Sequence, residues 1–118
     1  MIRKNKFSPQ KAVFMKESIV HALIDDDGAE TVALIDTDGF LVYSKGADVE
    51  KILSPLVQFS EEVKPGGIIT LISENKHLIA TKLQSGKMLA LSFANSERTG
   101  FMRMKITDAA TYLSRLNA

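Results

Sequence analysis

The sequence of 118 residues contains no cysteine. The chain therefore cannot form a disulfide, a zinc site built on thiolates, or a thiol nucleophile. The same absence fits a protein of the cytoplasm, where thiols stay reduced, and we expect that localisation.

Long apolar runs and an excess of charge of one sign are also missing. No apolar run approaches the roughly 20 residues that a membrane-spanning helix needs, and no signal-peptide core follows the basic N-terminus. The formal net charge is only +1. Bulk electrostatics therefore favour neither nucleic acid nor an anionic membrane, and we expect no nucleic-acid partner and no membrane insertion.

Motifs for catalysis are scarce. The only histidines are His21 and His77, and neither lies near a nucleophile elbow. Gly86-Lys87 and Gly66-Gly67 lack the further residues of a phosphate-binding loop or a dinucleotide fingerprint. We expect no catalytic residue and no cofactor, and we expect a protein that is not an enzyme.

Two acidic turns raise the question of a calcium site. They are Asp25-Asp26-Asp27-Gly28 and Asp36-Thr37-Asp38-Gly39. A calcium-binding loop of the EF-hand type needs a glutamate at its twelfth position, and counting from Asp36 that position is Ala47. We therefore expect chain-reversing turns and no metal, because Asp accepts local backbone hydrogen bonds and Gly supplies positive φ.

The sequence does contain regular hydrophobic spacing. Ser8-Pro9 is a typical helix start, and Pro65-Gly66-Gly67 is a typical helix stop. The alternation and the helical spacing predict a helix from Ser8 to about Ile24, strands at 30–35 and 40–44, a helix from Ala47 or Asp48 to Val63, strands at 68–73, 77–83 and 87–93, and a helix from about Phe101 to Leu116.

The order is therefore helix, two strands, helix, three strands, helix. Strands that follow one another through short turns predict an antiparallel sheet, and helices outside them predict an α+β layered domain. We expect a flexible basic tail at 1–7 and a single domain at 8–118.

Two segments resemble the Roadblock family, which includes the dynein light chains of that name and bacterial gliding-polarity regulators. Val32–Val42 resembles the first hairpin of the family with its acidic turn. Leu89-Ala90-Leu91, Asn95 and Gly100-Phe101-Met102-Arg103 resemble its last strand, connecting loop and third helix. The resemblance implies a five-stranded antiparallel sheet with the middle helix on one face and the two terminal helices on the other.

The resemblance also places the strand at 68–73 at one edge of the sheet. That strand is apolar on both faces and carries no charge, lysine or proline, so it is prone to aggregate unless another strand pairs with it. We therefore expect a homodimer through this strand and the helix at 48–63. The expected interface residues are Ile68, Ile69, Thr70, Leu71 and Ile72 of the strand, with Leu53, Val57 and Phe59 of the helix.

For function, the resemblance implies a platform that binds a small Ras-like GTPase, either to favour nucleotide hydrolysis or as an adaptor. The candidate partner-binding residues lie on the polar side of the middle helix: Lys51, Ser54, Gln58, Glu61 and Glu62.

The alternative is a ligand-sensing domain of the profilin-like or PAS-like type, or a general protein-interaction domain. A ligand sensor needs an enclosed pocket with converging polar groups. The interior positions here are almost all Leu, Ile, Val and Phe, and Thr70 and Thr81 are the only buried polar candidates.

Overall fold

The computed structural model describes residues 16–23, 29–46, 48–72 and 76–116. Residues 16–23 are helical and are called α1. The other elements are β1 (Thr31–Ile35), β2 (Leu41–Gly46), α2 (Val49–Phe59), β3 (Ile68–Ile72), β4 (His77–Lys82), β5 (Met88–Phe93) and α3 (Thr99–Arg115), with short 3-10 turns at Ser60–Glu62 and Ser96–Arg98.

The five strands form one antiparallel sheet in the order β2-β1-β5-β4-β3. The last strand in sequence, β5, lies in the middle, and all six of its residues are buried. The two outer strands are β2 and β3. The predicted α+β class and the predicted antiparallel sheet are confirmed.

The alternation of side chains along the strands divides the core into two clusters. On one face, Leu89, Leu91 and Phe93 pack with buried residues of α1 and α3. On the other face, Met88 and Ala90 pack with Ile52 and Leu56 of α2. The prediction that the middle helix and the terminal helices cover opposite faces is confirmed.

The acidic turn between β1 and β2 is a chain reversal. Asp36 Oδ1 accepts hydrogen bonds from the backbone N–H groups of Asp38 and Phe40, each at 2.9 Å. Gly39 has a φ of 89°, a backbone angle that residues with a side chain rarely adopt. The carboxylate is thus used within the turn, as the sequence predicts. The other acidic turn, at 25–28, lies outside the described residues.

Element boundaries differ from prediction at a few positions. The middle helix becomes a 3-10 turn at Ser60–Glu62 where the prediction continued it to Val63. The strand β3 is described as far as Ile72, and Ser73 lies outside the described residues. The predicted tail at 1–7 and the first half of the predicted first helix also lie outside them.

Candidate protein-interaction surface

The strand β3 forms one edge of the sheet, as the resemblance implies, and in the described part of the chain no strand pairs with its outer side. Ile69 and Leu71 are half-buried against the α2 side of the core, and Ile68 is half-buried against the α3 side. Ile72 is 72% exposed. An unprotected edge with apolar side chains on both faces is a template for pairing with another strand.

The strand β3 also contacts the helix α3, through Thr70. Arg103 Nη1 on α3 donates a hydrogen bond to Thr70 Oγ1 at 3.0 Å. Thr81 Oγ1 on the next strand donates to the Gly67 carbonyl oxygen at 2.7 Å. Thr70 and Thr81, the two buried polar candidates for a ligand pocket, therefore both have hydrogen-bond partners within the protein.

The helix α2 covers only part of its face of the sheet. It packs mainly against β1, β5 and β2, and a depression remains on the side of β3 and β4. A groove of about 330 Å³ lies there. Its lining residues are Lys51, Ile52, Pro55, Leu71, Ile72, Lys76, Leu78 and Ser92.

All five residues predicted to bind a partner are exposed. Lys51, Ser54 and Gln58 belong to α2, and Glu61 and Glu62 belong to the 3-10 turn after it. Lys51 makes a long ion pair of 3.9 Å with Asp48, and both side chains are largely exposed. Such a pair contributes little to stability, so it would cost little to break if Lys51 met another molecule.

Two of the three predicted dimer residues on α2, Leu53 and Val57, lie on the side away from the edge strand, whereas Phe59 follows Pro55 by four residues and lies on the side toward β3. Val57 is in contact with the β1–β2 turn, since a Cβ built on Gly39 would lie 3.4 Å from Val57 Cγ2. Because successive helical residues are separated by about 100°, Leu53 lies on the same side of α2 as Val57. The side that faces β3 instead carries Lys51 and Pro55. Leu53 and Phe59 are half-buried.

Sequence reasoning missed an exposed apolar patch at the opposite edge of the sheet. Phe40 is 69% exposed, Leu41 and Val42 are also exposed, and Val57 is next to them at 48%. A β-bulge breaks the register here, since Leu34 pairs with Tyr43 but Ile35 pairs with Leu41. Simple alternation along β2 could not predict this exposure, because a bulge changes which way the side chains point.

Comparison with solved structures identifies the fold. Neither a family model nor a curated protein matches the chain. MglB of Myxococcus xanthus superposes with a TM-score of 0.74 at 20% identity, over 95% of this chain and 97% of that one. A Roadblock/LC7 domain from Streptomyces avermitilis superposes with a TM-score of 0.53 at 16% identity, over 81% of this chain and 95% of that one. The chain has the Roadblock fold.

A third similar structure is described as MglB with a tetrameric arrangement. It superposes with a TM-score of 0.77 at 14% identity, over 98% of this chain and 96% of that one. At such identities the likeness to these Roadblock structures is one of fold, and a fold by itself does not establish function.

The described part of this Roadblock fold brings no three His, Asp or Glu residues together as a metal-binding group. Among the helices of the described residues, none has the length and apolar character needed to cross a membrane.

Proposed function

We propose that the chain is a non-enzymatic, cytoplasmic homodimer that serves as a platform for a small Ras-like GTPase. The Roadblock fold and the resemblance of Val32–Val42 and Gly100–Arg103 to that family support this proposal. The observation that carries it is the apolar strand β3 at the edge of the sheet, whose outer side is paired with no strand of the described residues.

Two copies of β3 would pair antiparallel about a two-fold axis and join two sheets into one. Each copy would give the other the backbone hydrogen-bond partners that a free edge lacks, and Ile72 would become buried. Self-association is a property of at least one protein of this fold, which is described with a tetrameric arrangement. The α2 side chains nearest this axis would be Lys51 and Pro55, because these line the groove beside β3.

The GTPase would contact the polar side of α2 and the turn that follows it. Ser54, Gln58, Glu61 and Glu62 are exposed there, and their mixture of neutral and acidic groups favours a polar, partly basic surface on the partner. In a two-fold dimer this face appears twice, which gives a broad surface from two short segments.

The decisive experiment measures binding of the full chain to small Ras-like GTPases of its source organism, each loaded with GDP or with a non-hydrolysable GTP analogue. We expect one GTPase to bind in one nucleotide state with clear preference. The double variant Glu61→Lys/Glu62→Lys should weaken that binding by about tenfold, since it reverses two charges at the contact.

Glu97→Lys is the matched control, because Glu97 is also exposed but lies in the 3-10 turn before α3. It should leave the affinity unchanged. Equal binding to both nucleotide states, or to none of the GTPases, would contradict the proposal. For a GTPase that binds, hydrolysis rates with and without the chain separate an activator from an adaptor.

A further inference from the structure

The second outer edge of the sheet, at β2, also carries exposed apolar side chains. The β2 patch consists of Phe40, Leu41 and Val42 with Val57 of α2, and these are four of the eight large apolar side chains that are exposed among the described residues. Apolar surface that is concentrated in this way marks an interaction site, whereas single exposed apolar residues are common on any protein.

The β2 patch lies at the far edge of the sheet from the proposed dimer. The strands β1, β5 and β4 separate β2 from β3. Neighbouring strands are about 4.8 Å apart, so roughly 19 Å lies between the two outer strands. A second copy that pairs with β3 therefore leaves the β2 patch exposed.

The outer side of β2 is open to a further strand. Among the described residues, β2 pairs with β1 alone. Natural sheets protect such an edge with charge, proline or a bulge. β2 has the bulge but no proline, and Lys45, near its end, is its only charged residue. The segment from Phe40 to Tyr43 is uncharged, so an apolar strand can pair there without burying a charge.

The charges at the two ends of β2 indicate which strand fits. Asp38 is exposed in the turn before β2, and Lys45 lies near the C-terminal end of the strand. When two copies of β2 run antiparallel, Lys45 of each copy is brought toward Asp38 of the other, whereas parallel pairing aligns like charges. A second copy of β2, run antiparallel, therefore complements both the apolar middle and the charged ends.

We propose that β2 pairs antiparallel with β2 of a second copy, about a two-fold axis near Val42. Phe40, Leu41 and Val42 of both copies are buried in this contact, and Val57 borders it. One strand pair with few side chains is a small interface, so the contact is weak and forms at high protein concentration.

This β2 contact does not need the proposed β3 dimer. Where the β3 dimer also forms, two self-complementary contacts at opposite edges join successive sheets into an open-ended row. Only this consequence rests on the proposed function.

The test is disulfide capture, because the chain contains no cysteine. Val42→Cys places one thiol per chain at the proposed axis, where opposite Cα atoms of an antiparallel pair lie about 4.5–5.5 Å apart and a disulfide can form. Under mild oxidation of the full chain, we expect a disulfide-linked dimer to form about tenfold faster than from Tyr112→Cys, since strand pairing raises the effective concentration of the thiols.

Tyr112→Cys is the matched control, because Tyr112 is 55% exposed and Val42 is 50% exposed, but Tyr112 lies on α3. Adding Phe40→Glu to Val42→Cys should lower the rate to that of the control, because it places two carboxylates in the contact. Phe40 is 69% exposed, so this change should not unfold the protomer. Adding Ile72→Lys instead should leave the rate unchanged, because Ile72 lies at the other edge.

Sedimentation gives a second readout that does not depend on thiol geometry. Between micromolar and millimolar concentration, the mean mass of the unchanged chain should rise, and Phe40→Glu should remove that rise. The proposal is overturned if Val42→Cys cross-links no faster than Tyr112→Cys, or if Phe40→Glu leaves the mass unchanged. A patch that is used by a different protein, the proposed GTPase included, would give those results. At micromolar concentration the weak β2 contact is largely dissociated, so the masses measured there report the β3 dimer separately.

Discussion

At the scale of single residues, two buried hydroxyl groups of the central strands have different surroundings. Thr81 Oγ1 donates to the Gly67 carbonyl oxygen, whereas Ser92 Oγ has no partner in the described part of the chain. Both residues are almost completely buried. The hydroxyl groups of Thr81 and Ser92 therefore contribute to stability with opposite sign although both are buried. A buried hydroxyl stabilises the fold only when its hydrogen bond is made.

We predict that Thr81→Val lowers the free energy of unfolding by about 1 kcal/mol, because it removes a hydrogen bond while keeping the volume. Ser92→Ala should leave that free energy unchanged or raise it, because it removes only an unpaired hydroxyl. Urea denaturation followed by circular dichroism gives both values. A loss in Ser92→Ala as large as that in Thr81→Val would mean that Ser92 has a partner after all.

Two glycines give a second contrast at this scale. Gly46 has a φ of 106°, and a Cβ there would overlap the Glu30 carbonyl oxygen and lie 2.8 Å from Thr31 Cα. Gly100 is in the first turn of α3, and a Cβ there meets nothing within 4 Å. We predict that Gly46→Ala costs about 2 kcal/mol or more of stability, whereas Gly100→Ala adds about 0.5–1 kcal/mol. Thermal unfolding should show a lower melting temperature for Gly46→Ala and a higher one for Gly100→Ala. Shifts of the same sign and size in the two variants would contradict this prediction.

At the scale of elements, the contrast is between the two sides of α2. One side, with Lys51 and Pro55, faces the open region beside β3. The other side, with Val57, lies against the β1–β2 turn. A dimer built on β3 would therefore place the Lys51 side of α2 near the two-fold axis and leave Val57 away from it.

We predict that Ile72→Lys dissociates the proposed dimer and that Val57→Lys does not. Both side chains are substantially exposed, so neither change should unfold the protomer. A charge at Ile72 would be placed in the strand pair, where its desolvation opposes association. Sedimentation equilibrium measures the mass of each variant. A monomer in Val57→Lys, or a dimer in Ile72→Lys, would exclude the proposed interface.

At the scale of the whole molecule, one sheet separates two hydrophobic clusters. Residues of β1, β4 and β5 contribute to both clusters, with alternate side chains on each face. Leu56 of α2 is fully buried in one cluster and Leu113 of α3 in the other. Because the same strands support both, loss of packing on one face weakens the sheet that the other face needs.

We predict that Leu56→Ala and Leu113→Ala each lower the free energy of unfolding by about 2–5 kcal/mol, since each leaves a cavity in a close-packed cluster. Each variant should still unfold in a single transition. Near-ultraviolet and far-ultraviolet circular dichroism during urea unfolding test this, because separate midpoints for the two signals would show that the clusters unfold independently.

Local sequence patterns were sufficient to predict the type and order of the α-helices and strands in the described residues. Alternation along the strand at 87–93 puts Leu89, Leu91 and Phe93 on one face and Met88 and Ala90 on the other, and the two core clusters agree with it. The Asp36 turn was likewise predictable, because its hydrogen bonds join residues two and four positions apart. These features depend on residues that are close together in the chain, so the sequence alone is enough to predict them.

Only the tertiary structure decided what lies beside β3. The helical spacing of α2 shows which residues share a side, but it does not show which side faces β3 and which faces the β1–β2 turn. That choice depends on how α2 is rotated and placed over the sheet, through contacts between residues far apart in sequence. The groove arises in the same way, since it joins Lys51, Leu71 and Ser92 from three separate elements. That Ser92 Oγ has no partner among the described residues could not be predicted, because a serine in a strand pattern does not indicate whether a distant donor or acceptor will reach it.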